Sequence, residues 1–561
     1  MISHQPFLRK YLIFILLSVN LSGFTQIAFE HNSNSSIYEF LDELASARII
    51  SLNSAVQPYS RNFIATCLEQ AKLHSEILTN RQLKELNFYL QAFTLETDLQ
   101  VDSRINPFKN NPLSLSLNPY ALVYRDSLLR VQMQPILGGE VYMNKDGHVI
   151  HRWYGASMHA YIGNHFGIYA SLRDNWETQL LSKPTYFIQS EGANYKINED
   201  GRPGGDYDEM RGGITWSWKW GYIGLLKDQV SWGSGYNGSI ILSGRTPSFA
   251  HIRFNIKPAS WIELNYIHGW LVSEVIDSSR SYVTPQGTYR AVYRNKFLAS
   301  NFVTVTPWKN VNISFGNSII YSDMDVQPAY LIPFMFYKSI DHTLNHGIDN
   351  QNSQMFLDLS ICSIRHLHVY GSYFIDEWNT SRLFHKDEHN FVGGKAGFRL
   401  SGWPFANVTI TAEYTRINPI VYKHRIPSLT YASNQFNLGY YLRDNSDELF
   451  ASVSWSPVHG LLFSASESYA RHGNEYPYTI TPDPTKYPVL KNITWQNKSL
   501  SLKARYEFLS NAYIFGEILF SNIQSYNVDG NRPSIILISI RPSFSRAINP
   551  QFPAVLHLDS K

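Results

Sequence analysis

Gly233-Ser234-Gly235 is the nearest approach in this chain to a serine nucleophile. A nucleophile elbow needs a glycine two residues before its serine, on a strand-to-helix turn, and position 232 is instead Trp232 among strand-like segments. No metalloprotease histidine pair, phosphate-cradling glycine loop or dinucleotide fingerprint occurs. Asp206, Asp208 and Glu209, preceded by Glu199 and Asp200, supply hard oxygens that suit calcium, but their spacing is not that of a twelve-residue calcium loop and reads as a solvated acidic loop. His385, Asp387, Glu388 and His389 have metal-ligand chemistry with no further ligand in sight. His366 and His368, two residues apart, share one face of a strand. No enzyme is expected, and no catalytic residue, metal or cofactor.

Aromatic rings beside amides and charges point to sugar recognition instead. Trp and Tyr stack on the apolar faces of pyranose rings, while Asn, Asp and Arg bond the hydroxyls. Trp232, Tyr236 and Asn237 with Arg245, and Trp176 with Arg173 and Asp174, are such mixtures and are the expected polysaccharide contacts. Aromatics at strand ends with paired charges behind them would give the same composition.

The elements that must carry these residues are mostly strands. From about Leu113 to Phe544 the apolar residues recur with period two: Leu500, Leu502, Ala504, Tyr506 and Phe508 alternate with Ser499, Ser501, Lys503, Arg505 and Glu507. Val408, Ile410, Ala412 and Tyr414, then Ile214, Trp216, Trp218 and Trp220, repeat the pattern. A two-layer sandwich and a membrane barrel share that alternation. Tryptophans at strand ends (Trp153, Trp176, Trp261, Trp270, Trp308, Trp378, Trp403, Trp455) favour the barrel, whose aromatic girdles lie at the headgroup level. Residues 101–545 then suffice for about 18 antiparallel strands of ~10 residues each. Tight turns are expected around Gly221 and 457–460, and long external loops over 182–210, 272–295, 339–354 and 472–497.

Residues 26–100 form a separate region. Helical period appears in three pieces, started by Ser36 with Glu39, by Ser60, and by Thr79 with Gln82. So small a bundle has little core of its own and is expected to pack, on the periplasmic side, against the barrel. Arg9 and Lys10 before the apolar run Tyr11 to Val19 read as a signal peptide over residues 1–25, too short to span a bilayer.

Composition narrows the rest. Of 561 residues 44% are hydrophobic, 17% charged and 14% aromatic, which excludes a disordered chain. A mean hydropathy of −0.24 excludes a polytopic helical membrane protein. A net charge of +3 gives no basis for a nucleic-acid partner. Cys67 and Cys362 make no disulfide framework.

Ile37-Tyr38-Glu39-Phe40-Leu41-Asp42-Glu43-Leu44 with Pro58-Tyr59-Ser60-Arg61, the stretch from Trp232 to Ser243, Leu331-Ile332-Pro333-Phe334-Met335-Phe336-Tyr337, and 350–354 resemble the capsule-assembly Wzi family, and most of all the RemB-type barrels associated with gliding motility. The resemblance follows nearly the whole exported chain. It implies an 18-stranded outer-membrane barrel with a periplasmic helical bundle, acting without catalysis as a surface lectin for capsular or exopolysaccharide in support of gliding or adhesion. Its implied partners are that polysaccharide, outer-membrane lipid, and periplasmic or motility-machinery proteins. The alternatives are a diffusion channel and an accessory subunit of a secretion or motility assembly. One departure is the C-terminal tail, 546–561, where such barrels usually end on an aromatic residue.

Overall fold

The computed structural model describes residues 26–53, 55–97, 104–105, 112–145, 147–198, 201, 203–348, 350–384, 390–478, 487–525 and 534–546. The expected signal peptide, the tail beyond Arg546, and Glu199, Asp200, His385, Asp387, Glu388 and His389 lie outside them.

Among the described residues, eighteen strands from Leu129–Asn144 to Ser534–Arg546 pair antiparallel in succession. The last returns to the first through Ile540↔Met143 and Phe544↔Gly139, which closes the ring. A hairpin, Leu113–Leu117 and Tyr120–Arg125, pairs with the start of the first strand (Arg125↔Arg130, Leu122↔Met133) and fills the seam where the last strand does not reach. Closure leaves no long edge unpaired, so the backbone can sit in hydrocarbon.

The period-two reading holds in most strands, whereas Ile262–Leu271, Lys296–Trp308 and Val311–Ser322 bury apolar residues consecutively, Ile267, Leu298 and Ile320 in one cluster and Tyr266, Phe297, Ile319 and Tyr321 in another. In Ile493–Leu509, Leu500, Leu502 and Tyr506 face outward while Ser499, Ser501, Arg505 and Glu507 are buried in the lumen. Trp216 and Trp220 face outward, and Thr215 and Ser217 inward. Short connections at 219–220, 260–261, 309–310, 365–366 and 510–511 lie at one end, and long ones at the other. Trp220, Trp261, Trp308, Trp403 and Trp455 surround the short-turn rim, Trp308 being 69% exposed, a girdle at headgroup level. Trp153 departs from that expectation: it points inward, 3% exposed, against His151, because its partner in the alternation, Tyr154, takes the outer face.

The helical region closes the short-turn end. Helix α1 (Ser35–Ser46), α2 (Arg61–Leu73) and α3 (Asn80–Ala92) share a core of Ile37, Leu41, Leu44, Ile64, Leu68, Leu86 and Phe93. Ser60 caps α2, and Thr79 with Gln82 forms the expected capping box of α3. The box expected at Ser36 and Glu39 is absent because α1 starts two residues earlier, with Asn34 at the N-cap, and the barrel claims both side chains: Ser36 bonds Tyr513 and Glu39 pairs with Arg505 at 2.7 Å. Arg61, buried between Glu30 (2.5 Å) and Glu96 (2.6 Å), ties the bundle together. Tyr89 reaches Glu507 at 2.9 Å.

Candidate functional site

Two of the long connections, 229–248 and 418–445, fold back into the barrel. Neither span is among the four long loops expected from the sequence, because Ile240, Ile241, Leu242, Ile420 and Val421 give them the apolar content of strands, although the aromatic residues around Trp232 do read as a loop that would favour occlusion. Those aliphatic residues meet Phe302, Phe356 and Phe374 of the wall in the largest buried cluster, which occupies one side of the lumen. Trp232 lies at its centre, fully buried, its indole stacked 5.4 Å from Phe302. Val56 of the N-terminal region pairs with Trp232, and Trp232 with Leu242, so a three-stranded sheet runs inside the barrel. Tyr422 and Tyr431 donate to the carbonyls of Ile240 and Ile241 at 2.6 and 3.1 Å, joining the two loops.

Buried acids on the wall fasten the loop 229–248. Asp358 accepts from the Ser234 amide and hydroxyl, each at 2.7 Å, and from the Ser372 hydroxyl at 2.5 Å. Glu413 accepts from the amides of Tyr236 (2.5 Å) and Asn237 (3.1 Å) and pairs with Lys395 at 2.6 Å. Lys395 donates to the Asn237 carbonyl at 3.0 Å. Gly233 and Gly238 have φ of +105° and +78°, and a Cβ on either would strike Ser239 or Gln189, so the tight path needs glycine. Ser234 is thus a fastening residue, with no histidine among its hydrogen-bond partners in the described residues.

Space remains along the opposite wall. A cavity of about 520 Å³ runs from α1 to the outer loops past Ser452, Ser454, Ser464, Ser466, Ser499 and Ser501, whose small side chains leave it open. Toward the long-loop end its lining is Phe187, Ser190, Asn237, Arg245, Tyr441 and Trp495. Beyond the rim, Tyr282–Val283 and Tyr289–Arg290 pair as a small hairpin within 272–295. Tyr282, Tyr289 and Tyr293 are about half exposed there (49%, 57% and 50%) with Arg280 and Arg290 among them.

The expected contact residues are distributed by this architecture. Trp232 is in the plug core and has no face free for a sugar. Tyr236 is held between Arg399, 4.2 Å over its ring, and His368, 2.8 Å from its hydroxyl. Asn237 and Arg245 line the cavity. Trp176, Arg173 and Asp174 do not converge, because strand alternation splits them: Arg173 points into the lumen and pairs with Glu209, while Asp174 and Trp176 face outward, the latter under Arg152 at 4.4 Å. Asp206 and Asp208 belong to the strand Gly205–Trp218, facing away from Glu209, so this part of the expected acidic loop is wall and, among the described residues, forms no calcium cluster. His366 sits in the turn before Leu367 and His368 in the strand after it, so they share no face. Among the described residues Asp444, His472 and Glu475 lie close enough to suggest a metal, but Lys423 occupies the place of the cation, 2.9 Å from Asp444 and 2.5 Å from Glu475. The half-exposed tyrosines of the hairpin are not among the candidates singled out from the sequence. Their signal was present as Tyr-Val-Thr-Pro-Gln-Gly-Thr-Tyr-Arg, two β-prone pairs around a Pro/Gly turn.

A closed barrel with an apolar outer face, a tryptophan rim and a charged, narrowed lumen defines an outer-membrane β-barrel protein. Similarity to solved structures agrees in fold. The chain is similar to Wzi of Escherichia coli, an outer-membrane protein involved in group 1 capsule assembly and a carbohydrate-binding β-barrel: TM-score 0.55, 12% identity, covering 92% of this chain and 99% of that one. OccAB2 of Acinetobacter baumannii (TM-score 0.43, 9% identity, 75% and 99% covered) and OccK1 of Pseudomonas aeruginosa (0.42, 9%, 74% and 98%) are more distant. No family model matches the chain, and no curated protein matches it in sequence.

Proposed function

We propose that this chain binds or organises capsular or exopolysaccharide at the cell surface, as a barrel without catalytic activity, in support of gliding or adhesion in the manner of RemB-type proteins. The observation that carries the reading is a lumen narrowed by inward-folded loops to a cavity along one wall. Two loops and an inner sheet occupy much of the space an 18-stranded barrel would otherwise offer to solutes, and they use apolar packing together with buried ion pairs to do so. A barrel closed in this way offers its outer loops as a surface, and exposed tyrosines beside arginines on a hairpin there have the chemistry of sugar stacking. The helices at the short-turn end face the periplasm in this orientation, where they suit partners of a motility or secretion assembly.

The test is retention of the producing cell's own polysaccharides by the full-length protein in lipid nanodiscs. Retention of at least one is expected, and retention of none would sink the proposal. The channel reading is separated by planar-bilayer recording, where the narrowed lumen predicts no steady large openings.

A further inference from the structure

Arginines around the cavity have acidic partners: Arg173 has Glu209, Arg81 has Glu43 and Glu85, Arg505 has Glu39, and Arg399 faces Asp42 at 3.9 Å. Arg245 does not. It is 6% exposed, lines the cavity, and has no carboxylate within ion-pair distance among the described residues. Its Nε has no hydrogen-bond partner. Its titratable neighbours are Tyr441 and a second guanidinium, Arg443, which lies 4.7 Å over the Phe187 ring. A buried guanidinium without a counter-charge carries an uncompensated desolvation cost, and arginine escapes it poorly by losing its proton.

Further donors are left unmatched beside it. Asn237, 4% exposed, has its Nδ2 unpaired although its Oδ1 accepts from Gln189 at 2.7 Å, and the Ser190 hydroxyl is unpaired. The segment 189–192 joins the three: Gln189 bonds Asn237, and the Gly192 amide donates to the Arg245 carbonyl at 2.5 Å. Unmatched donors around one space call for an acceptor-rich occupant, and a planar guanidinium matches a carboxylate in two parallel hydrogen bonds. Phe187, Tyr441 and Trp495 in the same lining provide the rings on which a sugar stacks.

We infer that the outer part of the cavity, built on Arg245 with Asn237 and Ser190, is a binding site for a carboxylate-bearing saccharide, a uronic acid unit. This rests on the polysaccharide reading above and gives its ligand a chemical class. Arg245 supplies the counter-charge, Asn237 and Ser190 donate to ring or hydroxyl oxygens, and the adjoining rings take the apolar face.

The experiment is calorimetric titration of the full-length protein in nanodiscs with alginate oligosaccharides, which are polyuronates, and with neutral dextran oligosaccharides of equal length. The wild type should bind alginate at least tenfold more tightly than dextran. Arg245→Gln should lower alginate affinity at least tenfold, leave dextran binding unchanged and leave the thermal midpoint unchanged or raised, since it removes a buried unpaired charge. Arg245→Lys should retain part of the alginate binding. Because a merely structural Arg245 would instead lower the midpoint and affect both glycans alike, that pattern would overturn the inference. So would unchanged alginate binding in the glutamine variant, or protection by sulfate without alginate binding. Dextran binding without alginate binding overturns the acidic assignment and leaves the polysaccharide reading standing, whereas binding of neither, nor of the cell's own glycans, overturns both.

Discussion

Trp232 and the Lys395–Glu413 pair show how single residues decide between a pore and a plug. Truncating a fully buried tryptophan removes its packing and leaves a void, a loss of ~3–5 kcal/mol. Trp232→Ala should therefore loosen the inner sheet without unfolding the wall. The expected outcome is frequent channel openings in planar bilayers, with heat-modified electrophoretic mobility still reporting a closed barrel; a silent variant would mean that the plug does not depend on its core. Removing one partner of a buried ion pair costs ~3–5 kcal/mol because the other charge stays behind. Glu413→Gln should thus release the loop 229–248 to protease, and adding Lys395→Met should restore part of the protection. Asp42 carries a pH prediction. Burial lifts its carboxyl to about 6, with Arg399 pulling the other way. The folded state then holds the proton more tightly than the unfolded chain, so this contribution is fully present below about pH 4 and is lost as pH rises toward 6. Asp42→Asn should flatten that slope when thermal midpoints are followed from pH 4 to 7.

At the scale of elements, orientation is the testable point. An epitope inserted at 285–286, the tip of the small hairpin, should be reached by antibody on intact cells, and one at 309–310 only after permeabilisation; the reverse would invert the topology. The wall was legible in the sequence because one residue type faces lipid and the other faces polar lumen, so the alternation in 499–508 or 214–220 survives every local accident. Helix starts were legible where the cap is local, as at Thr79 and Gln82, and illegible at Ser36 and Glu39, where contacts 477 and 466 residues away, to Tyr513 and Arg505 respectively, override it. The candidate site was less legible. Apolar runs such as Ile240-Ile241-Leu242 look the same whether they cross a membrane or fill a lumen, so Trp232 read as a loop aromatic when it is core. Neighbours in a strand such as Arg173 and Asp174 cluster in sequence and part in space. The unmatched state of Arg245 depends on what is absent around it, and no local spacing records that.

For the whole molecule, the helices, the strand Val56–Gln57, the loop 229–248 and the loop 418–445 form one connected column through an 18-stranded wall. The column closes the barrel, anchors the helical region at one end and supports the outer surface at the other. The proposed role of this closed barrel is to hold polysaccharide at the cell surface. It is tested most directly by measuring cell-bound against shed polysaccharide in a strain lacking the protein, with and without the wild-type chain restored. On the proposed role, polysaccharide moves from the cell-bound to the shed fraction on loss of the protein and returns on its restoration. Equal partition in all the strains would contradict it.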